Sequence, residues 1–273
     1  MKKGFSVLHF NGTTYQDNSL AAGDFGGVSF DSTLLIASEL LVGLYKPFRF
    51  FYVEIKTPHT VNANISFEYF DSESNDWKEL SVLDETLGLT QSGFVQLVNL
   101  PESWINNEVD SLSKYWIRIK TDTDLDLLEV QGLGIVFSND ADLIEEKSDI
   151  VTDDNRGKSW ILKHQAARKD IVRIVRSWSN KKTEDEIKFE DINEYDLRLD
   201  QVRNASKYLT LSKIYKNDLS GSNEDSYFHS AIGFQKNSNE SLRQDLISID
   251  LNDDGIEDAN EDSPVVISSG KIL

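Results

Sequence analysis

One acidic segment near the carboxyl end has the residue types and spacing of a calcium-binding loop. Asp250, Asn252, Asp254, Gly255 and Glu261 match every fixed position of the pattern D-x-[DN]-x-[DN]-G-x5-E. Ca²⁺ prefers oxygen ligands, and the glycine permits the sharp turn that brings them around the ion. The predicted metal ligands are Asp250, Asn252, Asp254, the backbone carbonyl of Ile256, Asp258 and Glu261.

Two features of the same segment differ from an EF-hand. Glu257 stands where EF-hands usually carry an apolar residue, and the residues after Pro264 are typical of a strand and not of an exiting helix. Three interpretations remain open: a Ca²⁺ site, a site for Mg²⁺ or for a lysine of a neighbour, or an acidic solvated turn. Ca²⁺ is the only cofactor that the sequence suggests, and we expect a structural role for it.

A basic segment lies inside an otherwise acidic chain. The chain has 28 Lys and Arg against 47 Asp and Glu, and its formal net charge of −19 argues against general binding to nucleic acid. Between Arg156 and Lys182, however, nine basic residues accompany one acidic residue, Asp170. The helical repeat places three of the nine on one side, as a basic stripe that faces either an anionic partner or solvent. This basic stripe consists of Lys169, Arg173 and Arg176.

The residues that could catalyse a reaction do not form a known pattern, so we expect no enzyme. The chain has no cysteine, which excludes disulfides, thiolate metal sites and thiol nucleophiles. Its four histidines show no paired spacing for a metal, and we expect His164 at the edge of a core. Ser159 and Ser177 lie near His164 at helical spacing, which is common on any helix. The sequence contains neither a glycine-rich phosphate loop nor a nucleophile motif.

The tryptophans of the first half allow two interpretations. Trp77 and Trp104 could form an exposed aromatic platform for a carbohydrate. Alternatively, Trp104 and Trp116 are core residues and Trp77 packs at the edge of a hairpin. We expect the second arrangement, because large aromatic residues in β-rich segments are more often buried.

The elements that position these residues fall into two halves, and the first half is rich in β-strands. Its apolar runs are β-branched and aromatic, several alternate with polar residues, and turn-forming residues separate them. Half-buried strands must hide their apolar face against a second sheet, so residues 1–140 are predicted to form an antiparallel β-sandwich. The predicted strands are 51–56, 65–70, 93–98, 115–120 and 128–137.

The second half is predicted to be helical and to follow a linker. Residues 141–155 are acidic and without period, residues 156–262 form a helical domain, and residues 263–273 form an extended tail. Apolar residues recur at helical spacing from Trp160, over residues 194–217, and again after residue 222. The third helix is expected to bury one face, formed by Phe228, Ala231, Ile232, Leu242, Leu246 and Ile249.

The second of these helices carries apolar residues on two sides. A helix of this kind is buried on two sides, either inside a bundle or between subunits. We expect the second arrangement, in which sister subunits pack against this helix. The predicted subunit interface consists of Leu199, Val202, Leu209, Tyr208 and Tyr215.

The motifs of the first half resemble a known kind of module. The order Asn75-Asp-Trp77, Asp84-Glu-Thr86, Pro101-Glu-Ser-Trp104 and Tyr115-Trp-Ile-Arg-Ile119 is similar to that in the jelly-roll sandwiches of tailed-phage structural proteins. The resemblance covers roughly residues 45–137 and rests on a rhythm of aromatic and turn residues. It implies a jelly-roll-like fold for the first domain.

The motifs of the second half resemble the head-to-tail connector, or neck and adaptor, proteins of tailed bacteriophages. The resemblance covers about residues 156–262 and rests on three segments and the acidic segment that follows them. It implies a helical connector-like bundle that forms a ring of about a dozen copies. The three segments are Glu190-Asp-Ile-Asn-Glu-Tyr-Asp-Leu197, Arg203-Asn-Ala-Ser-Lys-Tyr-Leu-Thr-Leu-Ser-Lys-Ile-Tyr215 and Asp225-Ser-Tyr-Phe228.

The resemblance also implies partners and a location. Connectors dock below the portal protein, contact further neck or tail proteins, and surround the channel through which DNA passes without sequence-specific binding. The basic stripe would then face DNA phosphates or the portal. We therefore expect an α+β, two-domain structural protein of the virion neck that is assembled in the host cytoplasm. A sandwich in front is unusual for a connector, which leaves open whether the protein also decorates the outside.

The alternative function is a carbohydrate- or receptor-binding phage module, with the sandwich as the binding part. Neither function requires a membrane. The apolar run from Leu34 to Tyr45 contains Glu39 and is too short to cross a bilayer. His9, Asn11 and other polar residues interrupt the first apolar run, so we expect no signal peptide.

Overall fold

The computed structural model describes residues 5–23, 25, 27–148, 150, 159–179, 192–217 and 224–244. These residues form an α+β protein with antiparallel sheets and five α-helices, as predicted for the fold class. They divide into two compact units, one that ends at Ile135 and one that begins at Val136. The division lies close to the predicted end of the β-rich domain at residue 140.

The first unit contains twelve described strands and one short helix. Every strand pairing is antiparallel. One sheet has the order β2-β1-β4-β11-β6-β7, with β10 paired to β11, and the other has the order β3-β12-β5-β9-β8. The elements are β1 (Ser6–Phe10), β2 (Tyr15–Asp17), α1 (Ser19–Gly23), β3 (Phe30–Asp31), β4 (Glu39–Leu44), β5 (Phe50–Thr57), β6 (Ile65–Asp71), β7 (Asp76–Glu79), β8 (Val82–Asp84), β9 (Gly93–Leu97), β10 (Asn107–Val109), β11 (Leu112–Thr121) and β12 (Glu129–Gly134).

Alternation of apolar and polar residues explains the two faces of the larger sheet. On β11, Ile117 and Ile119 are fully buried and lie opposite Val42 and Leu40 of β4. Arg118, between them, points to the other face because successive strand residues alternate. The sheet therefore has one core face and one face that carries polar residues. The five predicted strands correspond to β5, β6, β9, β11 and β12.

The loop between β11 and β12 is fastened by its own acidic residues. Each of three aspartates accepts a hydrogen bond from the backbone N–H group of a neighbouring loop, at 2.8–3.0 Å. Backbone groups outside the ladders need such partners, and short acidic side chains supply them. The pairs are Asp122 with Asn64, Asp124 with Ile36, and Asp126 with Thr60.

The second unit contains four described α-helices and one 3-10 turn. The elements are α2 (Asp140–Glu146), α3 (Ile161–Ser179), the 3-10 turn Glu194–Asp196, α4 (Leu199–Asn217) and α5 (Glu224–Gln244). Helix α4 packs against α3 and α5.

The start of the predicted linker is helical. Asn139 caps α2 through a capping box with Asp142, and Leu143 is fully buried. Arg203 and Lys207 of α4 pair with Asp142 and Glu146 of α2. The prediction of an irregular linker was wrong for residues 141–146, because the acidic residues there form a capped helix that α4 neutralises. The predicted tail, residues 263–273, lies outside the described residues.

Helix α5 buries only part of the predicted face: Ala231 and Leu242 are buried as predicted, and Leu246 and Ile249 lie outside the described residues. Ala231, Phe234 and Leu242 are buried, whereas Phe228 and Ile232 are 55% and 51% exposed. The buried set follows the spacing i, i+3, i+11, and Ser238 at i+7 is also buried because its hydroxyl donates to the carbonyl of Ala205. The predicted face was therefore wrong at Phe228 and Ile232, since a small polar residue occupies part of the true helix interface. Within the parts of the chain that the structure describes, no helix has the length and apolar character needed to span a bilayer.

Candidate functional site

The polar face of the larger sheet contains a groove of about 380 Å³. Strand pairing brings its walls together: Phe10 of β1 lies opposite Tyr15 of β2 and Glu39 of β4, and Arg118 of β11 lies on the same face. The tip of the β10–β11 hairpin closes one end. The lining residues are Phe10, Tyr15, Glu39, Trp77, Asn107, Glu108, Val109, Asp110 and Arg118.

Strand β10 is held at the groove by Trp116. The indole N–H group of Trp116 donates to the backbone carbonyl of Asn107 at 3.0 Å. The indole ring lies directly over Gly43, where a Cβ atom would come within 2.2 Å of it. Glycine at position 43 is therefore required for the ring to lie flat on β4. Val109 packs into the same small cluster, with Leu8, Leu41 and Trp116.

Arg118 forms the floor of the groove and is bound by two carboxylates. Its Nε atom donates to Glu68 at 2.5 Å, and its Nη1 atom lies 3.3 Å from Glu39. The guanidinium carbon lies 4.4 Å from the centre of the Trp77 ring, a cation–π distance. The Arg118 side chain is 16% exposed, so these contacts are partly shielded from water. The positive charge of Arg118 is therefore already balanced.

The rim of the groove carries additional negative charge. Glu108 and Asp110 are exposed, and neither forms an ion pair with a described residue. Burial, together with the negative charge of Glu39, raises the pKa of the Tyr15 phenol above its usual value. Tyr15 is therefore a neutral hydrogen-bond donor at neutral pH. The groove combines an aromatic wall with an acidic rim.

The structure separates the two tryptophans of the predicted sugar platform. Trp77 lines the groove and packs against Phe70 across the β6–β7 hairpin, with ring centroids 5.7 Å apart. Trp104 is 4% exposed and packs edge-on against Phe48 and Tyr115. The interpretation of Trp77 and Trp104 as one exposed carbohydrate platform is therefore wrong. The alternative arrangement, with Trp104 and Trp116 in the core and Trp77 at a hairpin edge, is confirmed.

The three residues of the basic stripe do not form one free row. Lys169 is exposed, and Arg173 is 78% exposed and pairs with Asp170 at 2.9 Å. Arg176 instead donates from Nε to the carbonyl of Ile192 at 2.6 Å. Arg176 thus anchors the chain before the 3-10 turn, which leaves Lys169 and Arg173 as the outward basic residues of α3.

The predicted subunit interface on α4 lies inside one chain. Leu199, Val202 and Leu209 are at most 3% exposed. Tyr208 and Tyr215 are half-buried against the cluster of Leu211, Ile214, Phe234 and their neighbours. The interface prediction is wrong for the three aliphatic residues, because α3 and α5 of the same chain already cover both apolar sides of α4.

His164 is the centre of a buried hydrogen-bond network in the helical unit. Its Nδ1 atom lies 2.8 Å from the Ser138 hydroxyl and its Nε2 atom lies 3.1 Å from the Asp140 carboxylate. Ser138 also bonds Ser206 of α4 at 2.8 Å. This Ser–His–Asp order is that of a catalytic triad, but Ser138, His164 and Ser206 are 0% exposed. A substrate cannot reach the hydroxyl, so the network holds α3, α4 and the start of α2 together.

The predicted calcium loop lies outside the described residues, and its ligands from Asp250 to Glu261 stay a prediction. In the described part of the chain, no group of three or more His, Asp or Glu side chains is arranged to hold a metal ion.

Sequence reasoning missed the groove because its residues are far apart in the chain. On β11, Trp116 and Arg118 lie on the face opposite to Ile117 and Ile119, but Trp116 is fully buried there, so the apolar–polar alternation of the strand did not mark this face as a site. The register that places Glu39 and Glu68 beside Arg118 depends on non-local pairing, and the sequence alone does not supply it. The buried partners of His164 were missed for the same reason.

No protein-family model matches this chain, and comparison with curated proteins finds no match.

Proposed function

We propose that this protein is a non-enzymatic structural component of a tailed-phage virion, a connector at the head-to-tail junction that forms a ring below the portal. The sequence resemblance over residues 156–262 supports this role. The structure limits how such a ring could form: α4 is enclosed within its own chain, so contacts between subunits would use the outer faces of the other helices. In this role the protein would act through complementary packing against its neighbours and would not catalyse a reaction.

The arrangement of the strands supports a two-sheet antiparallel first domain. The consecutive strands β4 and β5 belong to different sheets, as do β11 and β12. β4 pairs with β11 in one sheet, and β5 pairs with β12 in the other. The jelly-roll-like character of this domain is proposed from the sequence resemblance alone.

Contacts between subunits must use residues other than the predicted interface. Phe228 and Ile232 lie one turn apart on α5, and Leu162 is 60% exposed on α3. Exposed apolar side chains on helices are the surface that an assembly would bury. Lys169 and Arg173 add positive charge to α3 of a strongly acidic protein. These residues are the proposed contacts with sister subunits, the portal or DNA.

Substitution on α5 tests this role. Ile232→Glu places a charge in the proposed contact without disturbing the core, because Ile232 is exposed. We expect it to abolish ring formation or portal docking while the circular dichroism spectrum is unchanged. Asn237→Glu introduces the same charge at an exposed position about 140° around the helix from Ile232 and is the control. Normal assembly of Ile232→Glu, or equal loss in both variants, would remove α5 as the contact surface.

The groove on the sandwich favours a second function, a receptor-binding module. Its aromatic and polar lining is typical of a site that recognises a ligand. A sandwich that binds a receptor while the helices mount it on the particle is compatible with the neck role as well. A stable monomer that binds a ligand through the groove and never joins a ring would favour this second function alone.

A further inference from the structure

The groove of the sandwich points to a ligand class that neither proposed role specifies. We propose that it binds an arginine or lysine side chain of a partner polypeptide, held between the aromatic wall and the acidic rim. This inference needs only the groove and does not depend on the neck role. A failed binding experiment and a failed ring experiment are therefore separate results.

The charge of the lining favours a cation. Arg118 is neutralised by Glu39 and Glu68, whereas Glu108 and Asp110 at the rim have no cationic partner among the described residues. An incoming cation therefore meets two uncompensated carboxylates. The net charge of −19 for the whole chain adds a long-range attraction for basic partners.

The aromatic wall favours a long side chain with a cationic end. The Phe10 and Tyr15 rings lie 4.8 Å apart at an angle of 38°, and Trp77 stands across the groove from them. Aromatic faces bind both the methylene stem of lysine or arginine and its charged end. Because Arg118 already lies over one face of Trp77, the Phe10 and Tyr15 rings are the main aromatic surface for an incoming side chain.

The same features disfavour a sugar ring. A sugar stacks on a flat, open aromatic face, but Arg118 covers one face of Trp77 and Phe70 packs against the ring. Phe10 and Tyr15 are tilted against each other, so they do not form a flat platform. The surroundings of Trp77 thus fit an extended side chain better than a planar saccharide.

The test uses a matched pair of peptides with the full-length protein. One is a blocked peptide of three arginines separated by glycines, and the other has citrulline, the uncharged analogue, in place of each arginine. We expect titration calorimetry or NMR titration to show binding of the arginine peptide and at least about tenfold weaker binding of the citrulline peptide. Equal binding of both peptides, or no binding of either, would overturn the proposal. Binding of a neutral oligosaccharide through the groove would also overturn it, in favour of a sugar site.

Two charge-matched variants locate the binding. Glu108→Gln with Asp110→Asn neutralises the rim, and both residues are exposed, so the fold is retained. We expect about tenfold weaker binding of the arginine peptide. Glu73→Gln with Glu102→Gln removes the same charge from exposed positions outside the groove and is expected to change affinity by less than about twofold. Equal losses in the two variants would show diffuse attraction and contradict a site at the groove.

Discussion

Individual acidic side chains stabilise loops and turns of this protein through hydrogen bonds, although the acidic composition by itself suggests only solubility. Asp126 accepts hydrogen bonds from the backbone N–H group of Thr60 at 3.0 Å and from its hydroxyl at 2.6 Å. These bonds stabilise the charged carboxylate, and they lower the pKa of Asp126 from 3.8 to about 2. Asp71 is held in the same way by Lys78, Ser103 and Ser74, and its pKa is also well below the usual value.

The lowered pKa of Asp126 predicts a pH dependence. The folded-state pKa lies below the unfolded value, so the stabilisation is complete above about pH 4 and is lost as the pH falls towards 2. We expect Asp126→Asn to lower the melting temperature at neutral pH and to match the wild type only once the pH has fallen below 2. Thermal unfolding over a pH series measures this. A difference in melting temperature that stays constant with pH would contradict it.

The buried His164 network predicts a large loss of stability. His164→Ala leaves the Ser138 hydroxyl and the Asp140 carboxylate without their ring partner. We expect the free energy of unfolding of the helical unit to fall by about 2–4 kcal/mol, the usual cost of unpaired buried groups plus a cavity. Urea unfolding followed by far-UV circular dichroism measures it. His229→Ala, at an exposed position of α5, is the control and should change stability by less than about 0.5 kcal/mol.

The acidic segment near the carboxyl end gives a third residue-level prediction. If Asp250 to Glu261 enclose Ca²⁺, the wild type releases or absorbs heat on titration with Ca²⁺. Glu261→Gln removes the bidentate ligand and is expected to weaken binding by at least about tenfold. The absence of any heat in the wild type would end the calcium hypothesis.

At the scale of elements, α3 is the helix whose outer face carries positive charge. Asp170 bridges α3 to α4 through Lys213 and pairs with Arg173 on the surface. An exposed pair of this kind contributes little to stability. Lys169 is exposed, and Arg173 is held on the surface only by this weak pair, so both could contact an anionic partner without loss of the fold.

Charge reversal on α3 tests this contact. We expect Lys169→Glu with Arg173→Glu to reduce assembly or genome retention by about tenfold or more, with an unchanged fold, because like charges then oppose an anionic surface. Particle infectivity and native gel mobility measure the effect. The control is Lys216→Glu with Arg243→Glu, which makes the same charge change at exposed positions of α4 and α5. Fully infectious particles from the α3 variant would contradict the prediction.

Five of the twelve described strands and the three longest helices could be predicted from the sequence, but the other strands, α1, α2 and several contacts could not. Periodicity correctly located β5, β6, β9, β11 and β12, because each strand alternates or is β-branched. It misplaced the partners of α4, because a two-sided apolar helix has the same pattern inside a bundle as between subunits. It misjudged the inner face of α5, where Ser238 is buried through a hydrogen bond to the Ala205 carbonyl.

The candidate site was also only partly predictable. Trp77 could be singled out as an aromatic residue at a hairpin edge. The Arg118 pairs with Glu39 and Glu68 join residues 79 and 50 positions apart, so they depend on strand register. Gly43 gave no signal of its own, although it makes the space in which Trp116 holds β10. Non-local pairing thus explains most of what the sequence could not supply.

At the scale of the whole molecule, we propose a different role for each of the two compact units. The helical unit is closed around α4 and offers exposed side chains on α3 and α5 to neighbours. The β-rich unit contains the groove that we propose binds a basic side chain. Different surfaces on the two units would allow the proposed connector to bind more than one partner.

Electron microscopy of the purified full-length protein, alone and mixed with the portal protein encoded in the same genome, tests the connector role most directly. The account predicts closed rings of about a dozen copies that stack on the portal around a central channel, either before or after mixing. Rings should be lost in Ile232→Glu and kept in Asn237→Glu. A wild-type protein that remains monomeric and does not bind the portal would contradict the account.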